Sequence, residues 1–177
     1  MGGHGPTAVS VPGARVVLRP AQAADADLLL AWANDPATRA ASFDRDLIAR
    51  PDHLRWLAAV LGDATRRLWI AEEAGAPIGQ LRVDRLPDGC GVVSIGLAPD
   101  ARGRGLGRVV LGMGVAAAIR ELGIRRARAV VMAANLPSRR LFEGAGFRVV
   151  AAPGAPPGHP EALVLEMNLG LDMPAEP

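Results

Sequence analysis

Arg102-Gly103-Arg104-Gly105-Leu106-Gly107-Arg108 is the stretch on which the reading of this chain turns. Ahead of it, Val92-Val93-Ser94-Ile95-Gly96-Leu97 is β-branched and mostly apolar and ends at Ala98-Pro99-Asp100, as a strand would. Behind it, Leu106, Val109, Val110, Met113, Ala116, Ala117 and Ile119 recur at helical spacing until Gly123. The unit is strand, glycine-rich loop, helix. Alternating glycines let the backbone turn tightly and leave its N–H groups unobstructed. Those groups and the start of the helix favour an anion, most often a phosphate. Arg102, Arg104 and Arg108 add positive charge.

Spacing narrows the ligand. A nucleoside-triphosphate loop needs Gly-x-x-x-x-Gly-Lys-Ser/Thr, and the chain contains no lysine. Gly103, Gly105 and Gly107 give Gly-x-Gly-x-Gly rather than the dinucleotide spacing, and no acidic residue follows at the distance that loop requires. The pattern that fits is Arg-x-x-Gly-x-Gly, from Arg102 through Gly105 to Gly107. It resembles the pyrophosphate-binding signature of the GNAT superfamily of N-acetyltransferases, and the resemblance implies acetyl-CoA as the ligand. A second segment, Asn135-x-x-Ser138 followed by Phe142-x-x-x-Gly146-Phe147, resembles the superfamily helix beside the coenzyme thiol. The resemblance therefore assigns coenzyme binding to Ile95, Leu97, Arg102, Gly103, Arg104, Gly105, Leu106, Gly107, Arg108, Asn135, Ser138 and Phe142.

At 177 residues the chain is read as one domain over 15–169, between tails at 1–14 and 170–177. The order of predicted elements supports that reading. A strand at Arg15–Arg19 precedes helices at Asp25–Ala33 and from Pro51 to Gly62, with a loop or broken helix over Ala37–Arg50 between them. Strands follow at Arg67–Glu72, Ile78–Leu86 and Val92–Leu97, then the central helix and a strand at Ala127–Met132. A short helix from Asn135 to Ala145 leads to strands at Phe147–Ala151 and Glu161–Leu169. This order is similar to the GNAT arrangement. It implies an α+β fold whose mixed, mostly antiparallel sheet has six to seven strands and about four flanking helices.

Composition excludes several classes. The formal charge is only +2, from 20 arginines against 18 acids, so the pI near 9.8 reflects the high pKa of arginine rather than a basic surface. Basic residues are scattered among acids and aromatics make up 3%, so no nucleic-acid surface is expected. No apolar run reaches the ~20 residues of a membrane span. Met1–Pro6 lacks the basic and apolar regions of a secretory signal. Cys90 is the single cysteine, which rules out an internal disulfide and points to a reducing cytoplasm. His4, His53 and His159 are too scattered for a metal cluster, and no nucleophile motif such as Gly-x-Ser-x-Gly occurs. Direct transfer in a ternary complex is the expected chemistry. By analogy with the family, exposed edge strands near the C-terminus allow a homodimer.

The superfamily often uses a tyrosine as acid and a glutamate early in the central strand. The matching positions here are Phe142 and Val92, and the chain has no tyrosine. A thiol of pKa ~8.5 leaves tolerably without an acid, and an amine of pKa ~8 is partly neutral near pH 7. Ser94, Asp84 or Glu72 acting through water, and Ser138 beside the sulfur, are the catalytic candidates.

The segments Trp32-Ala33-Asn34-Asp35-Pro36-Ala37-Thr38-Arg39, Ser42, His53-Leu54-Arg55-Trp56 and Gly79-Gln80-Leu81-Arg82-Val83-Asp84 resemble amino-sugar N-acetyltransferases of nonulosonic (pseudaminic-type) pathways. The implied acceptor is a nucleotide-linked amino sugar. Arg39 and Arg82 would hold a diphosphate or base edge, Asn34, Asp35 and Asp84 would line the acceptor pocket, and Trp32 or Trp56 would offer a flat face. Equally, the tryptophans read as core, Asn34-Asp35 as a helix stop and His53 as a capping or surface residue. A protein N-terminus or small drug-like amine, and a non-catalytic acyl-CoA-sensing domain, remain open alternatives.

Overall fold

The computed structural model describes residues 7–11, 14–151 and 159–170. Strand β1 (Thr7–Val11) pairs antiparallel with β2 (Ala14–Pro20). Helices α1 (Ala26–Ala33), α2 (Pro36–Ala40) and α3 (Arg50–Gly62) follow. An antiparallel meander then runs through β3 (Arg66–Glu73), β4 (Ala76–Arg85) and β5 (Cys90–Leu97). Helix α4 (Leu106–Leu122) crosses over to β6 (Arg126–Met132), which runs parallel to β5. Helix α5 (Leu136–Gly144), the short β7 (Arg148–Val150) and β8 (Ala162–Asn168) complete the chain. The sheet order is β1-β2-β3-β4-β5-β6-β8-β7.

The mixed, mostly antiparallel sheet is the one expected, with β1 as its eighth strand. That strand corrects the reading of 1–14 as a tail: Thr7–Val11 pairs in register with Ala14–Leu18. The remainder of that segment lies outside the described residues, as do 171–177 and most of the Pro/Gly-rich link at 153–160. Between α1 and α3, where a loop or broken helix was expected, a short helix forms. Asn34-Asp35-Pro36 not only ends α1 but starts α2, because Asp35 accepts the Thr38 N–H and Pro36 occupies a position whose N–H needs no partner.

Period-two alternation divides the sheet into two faces. On one, Trp69, Ala71, Leu81, Val83 and Val93 pack under α4. The helix comes close because it is rich in small residues. A Cβ on Gly114 would overlap the methyl groups of Leu81, which is itself fully buried. On the other face, Leu68 and Ile70 join Ala26, Leu29, Leu57 and Val60 beneath α1 and α3. Arg19 fastens this layer to the sheet: its guanidinium takes both oxygens of Asp25 at 2.8 Å and its Nε reaches Glu72 at 2.6 Å. The Arg19 bond is the main reason the Asp25 carboxyl sits below the usual range.

His53 does not cap or face solvent. It is 3% exposed within the α1–α3 layer, 5.3 Å from the Trp56 ring, and its Nε2 has no hydrogen-bond partner among the described residues. Burial pushes its pKa below the ordinary 6.5, against a backbone bond to Ala26 and the charge of Asp27.

This packing has two measurable consequences. Gly114→Ala is expected to lower stability by about 1–3 kcal/mol in urea unfolding, because the added methyl overfills a closed contact. Because the folded pKa of His53 is depressed, its contribution to stability is complete above the unfolded pKa and is lost as pH falls. The melting temperature should therefore drop as pH is lowered from about 6.5 towards 5, and a His53→Gln variant should show a shallower drop over that window.

Candidate active site

The opening that defines the site lies between β5 and β6. β6 pairs with β5 only at Cys90↔Arg126, Gly91↔Ala127 and Val92↔Arg128. Beyond that point β5 stays with β4 and β6 stays with β8. The bonds Leu86 N–H to Cys90 O and Ala98 N–H to Ile78 O set the alternation of the β4–β5 ladder. Even-numbered residues of β5 exchange bonds with β4, and Val93, Ile95 and Leu97 turn their backbone groups towards the opening. The N–H groups of Ile95 and Leu97 thus line it. No bulge interrupts β5 at Gly96: the β4–β5 register is continuous from Gly79↔Leu97 to Arg85↔Gly91, and the irregularity in the meander lies in the β3–β4 pair at Ala71/Glu72. Strand divergence, rather than a bulge, exposes the edge.

The glycine loop closes one end of the opening. Gly103 and Gly105 take φ of 72° and 78°, and Gly105 is the N-cap of α4. A side chain at either would meet no neighbour, so the constraint there is the left-handed backbone. The N–H groups at the start of α4 lack helical partners and sit at the positive end of a long helix. In its backbone geometry this is a cradle for an anion. Gly107 differs from these two. A Cβ there would meet the Leu141 methyl groups at 3.4 Å, a snug contact at the place where α5 lies against α4. Leu106 is buried.

Each of the loop arginines has a partner within the protein. Arg102 bonds Leu97 O, Asp35 and Thr38. Arg104 pairs with Glu73 at 2.6 Å, and Arg108 donates to Gly144 O. On α5, Asn135 caps the helix by accepting the Ser138 N–H at 3.1 Å. Phe142 is 3% exposed and meets Phe147 edge-on at 5.1 Å, so its ring fills the core rather than presenting a surface to a ligand. Ser138 stays half-buried.

On the opposite face, cross-strand register aligns Gln80 with Gly96, Arg82 with Ser94 and Asp84 with Val92. Gln80 Oε1, Arg82 Nε and Asp84 Oδ1 are buried atoms without a hydrogen-bond partner among the described residues. Arg82 Nε and Asp84 Oδ1 lie 3.2 Å apart, close enough to pair as ions but not aligned as a hydrogen bond. The Arg82 guanidinium sits 5.6 Å from the centre of the Trp56 ring, and Ser94 is exposed. Buried polar atoms normally find partners, and beyond the ion pair these three atoms make no hydrogen bond among the described residues. Gln80 was not assigned from sequence; only the β4 register, which places it in line with Arg82 and Asp84, reveals it.

Other expected acceptor residues are used elsewhere. Asn34 bonds both the N–H and the C=O of Ile48 at 2.9 Å. Arg39 Nε donates to Ala33 O at 2.6 Å, and its other nitrogens reach Ser42, Asp44 and Asp46. Both residues staple their own loop. The Arg102 bond, chiefly, holds the Asp35 carboxyl below the usual carboxylate range, and Glu72 is held by Arg19. Trp32 and Trp56 are partly buried against the α1–α3 cluster. Among the described residues no group of three His, Cys, Asp or Glu is placed to hold a metal, and no helix is long and apolar enough to cross a membrane.

Comparison with known proteins agrees with this geometry. The acetyltransferase (GNAT) domain family matches residues 15–148. Among solved structures, the chain is similar to ribosomal-protein-alanine N-acetyltransferase from Brucella melitensis, at 25% identity over 86% of this chain and 99% of that one, with a TM-score of 0.71. It is also similar to spermidine N-acetyltransferase from Vibrio cholerae in complex with CoA and spermine, at 15% identity over 86% and 95%, with a TM-score of 0.75. An aminoglycoside acetyltransferase in complex with coenzyme A gives 20% identity over 87% and 95%, and a TM-score of 0.74. These structures span several acceptor classes. No curated protein matches the chain.

The loop geometry predicts the outcome of Gly105→Glu. The substitution forces a side chain onto a left-handed backbone and sets a carboxylate at the anion cradle, so titration calorimetry with coenzyme A should show at least a tenfold loss of affinity, equivalent to about 1.4 kcal/mol.

Proposed function

This chain belongs to the GNAT acetyltransferases, and we accordingly propose that it acetylates a primary amine held against the polar row of β4. Acetyl-CoA is the donor in this family and supplies the activated acetyl thioester. The observation that carries the proposal is the position of the opening. The glycine cradle and the β5 edge lie on one side of it, and Gln80, Arg82 and Asp84 face the other way from the same pair of strands.

The residues present divide the work. The N–H groups of Ile95 and Leu97, fixed by the β4–β5 ladder, are aimed to donate to an oxygen in the opening, where developing negative charge would be stabilised without reorganisation. Asp84, beside Arg82, accepts a proton from the incoming amine through water, and Ser94 extends that route on the adjacent strand. Asp84 is the direct cross-strand partner of Val92, so a carboxylate stands on the same face, one strand away from a position that carries none. Ser138 at the start of α5 contributes a hydroxyl near the other end of the opening.

For the acceptor, a nucleotide-linked amino sugar is the favoured reading. The Trp56 face beside Arg82 suits a flat or sugar ring carrying nearby negative charge, and Asp84 suits the amine or a hydroxyl. With Arg39 occupied in its loop, Arg82 alone remains of the expected anion grip. A protein N-terminus is the second reading, favoured by the similarity to ribosomal-protein-alanine N-acetyltransferase.

The test is release of coenzyme thiol from acetyl-CoA with nucleotide-linked amino sugars, short peptides and aminoglycosides offered as acceptors. Turnover confined to the amino sugars is expected. Turnover confined to peptides would select the second reading, and coenzyme binding without turnover on any amine would overturn both in favour of a sensing domain. With the acceptor that turns over, Asp84→Asn should lower kcat by about a hundredfold while leaving coenzyme A affinity nearly unchanged.

A further inference from the structure

Arg102 opens the glycine signature, yet its side chain points away from the cradle. Nε donates to Leu97 O at 3.2 Å, Nη1 lies 2.8 Å from Asp35 Oδ2, and Nη2 donates to Thr38 Oγ1 at 3.0 Å. Asp35 and Thr38 belong to the first turn of α2, where Asp35 also accepts the Thr38 N–H and hydroxyl. The guanidinium is therefore held in three directions, between the end of the open β5 edge and the segment that follows α1.

That segment is a unit. Asn34 closes its base through Ile48, and Arg39 fills its interior with bonds to Ala33 O and Ser42. At its far side, Phe43 packs against His159 with ring centres 5.0 Å apart. His159 precedes β8, and Ala162 at the start of β8 pairs with Met132 at the end of β6. Because β5 and β6 run parallel, both of these points lie at the open ends of the diverging strands. Residues 34–48 thus form an arch that touches both walls of the opening, with Arg102 as its tie to the β5 wall.

We infer that Arg102, Asp35 and Thr38 act as positioning residues that couple occupancy of the coenzyme loop to the order of the 34–48 arch. The inference rests on the reading of that loop as the coenzyme seat. A ligand fixed on the loop N–H groups restricts the backbone from Arg102 onward. A guanidinium tied to α2 passes that restriction to the arch, and the arch's order favours the seated loop by the same factor. The side chain of Asp35 is 15% exposed and that of Arg102 34%, so the tie is half-buried. Arg102 works here as a strut rather than as a phosphate ligand, and acceptor binding is prepared by coenzyme binding.

Asp35→Asn separates this role from folding, since asparagine caps a helix as well as aspartate but cannot form the ion pair. Amide hydrogen exchange of peptides covering 34–48 is measured with and without saturating coenzyme A, in wild type, Asp35→Asn and Thr38→Ala. In wild type, coenzyme A should slow exchange in the arch by about fivefold or more. In Asp35→Asn, coenzyme A should still bind and protect the 102–108 loop, while protection of the arch is lost; Thr38→Ala should show an intermediate loss. Arch protection equal in all three proteins, or absent from wild type with coenzyme bound, would overturn the coupling and leave the seat intact. Failure of coenzyme A to bind wild type would overturn the seat and the coupling together.

Discussion

Backbone pairing between β5 and β6 stops at Val92 and Arg128, and the functional arrangement depends on that stop. Each strand is held along its length on its other edge, β5 by β4 and β6 by β8, so the sheet parts between them instead of fraying within either half. An unpaired strand edge is normally a liability in a folded protein. Here the parted edge is internal and leaves the N–H groups of Ile95 and Leu97 facing the opening as a ready pair of donors. The crossover that makes β6 parallel to β5 is α4, and its N-terminus begins beside the same opening. One topological choice therefore supplies both the strand edge and the anion cradle.

The layers on either side of the sheet serve that opening differently. Under α4, small residues bring the helix close, and Gly114 against Leu81 leaves no room for a methyl group. Rigid packing there fixes where the cradle lies relative to β5. The α1–α3 side is looser in its chemistry. It combines an apolar cluster with a buried histidine and with polar atoms of Gln80, Arg82 and Asp84 that make no hydrogen bond among the described residues. The side that holds the scaffold is apolar, and the side proposed to meet an acceptor carries unsatisfied polarity.

Arginine is the chain's only strongly basic side chain, and the fold uses its forked guanidinium as a cross-link. Arg19 joins β2 to Asp25 and Glu72, Arg39 staples the segment after α1, and Arg102 ties that segment to the glycine loop. A lysine ammonium could not span these partners with fixed geometry. In the glycine motif Arg102, Arg104 and Arg108 each have a protein partner, while Arg104 and Arg108 stay exposed.

Apart from β1 and the short α2, the order of strands and helices and the glycine turn ahead of α4 were legible in the amino-acid sequence, because both depend on local rules. Periodicity marks α4 and β5, and glycine alone takes the φ of 72° and 78° at Gly103 and Gly105 without strain. The place of Ile95 and Leu97 at the end of the central strand was legible too, although divergence from β6 rather than a bulge at Gly96 exposes their backbone groups. Side-chain roles were less so. Asn34 and Arg39 are polar residues in a loop, and nothing in their neighbours reveals that Ile48 and Ala33 satisfy them. His53 falls in a first helical turn, but its burial depends on α1 lying against α3. Asp84 opposite Val92, Gln80 in line with Arg82, and Arg102 beside Asp35 join residues through strand register or across a span of 67 positions. Neighbouring residues were enough to specify the course of the backbone, because turn, helix and strand geometry are local. Which charged and polar groups stay available to a ligand was settled only by the folded arrangement, because their partners are chosen by proximity in space.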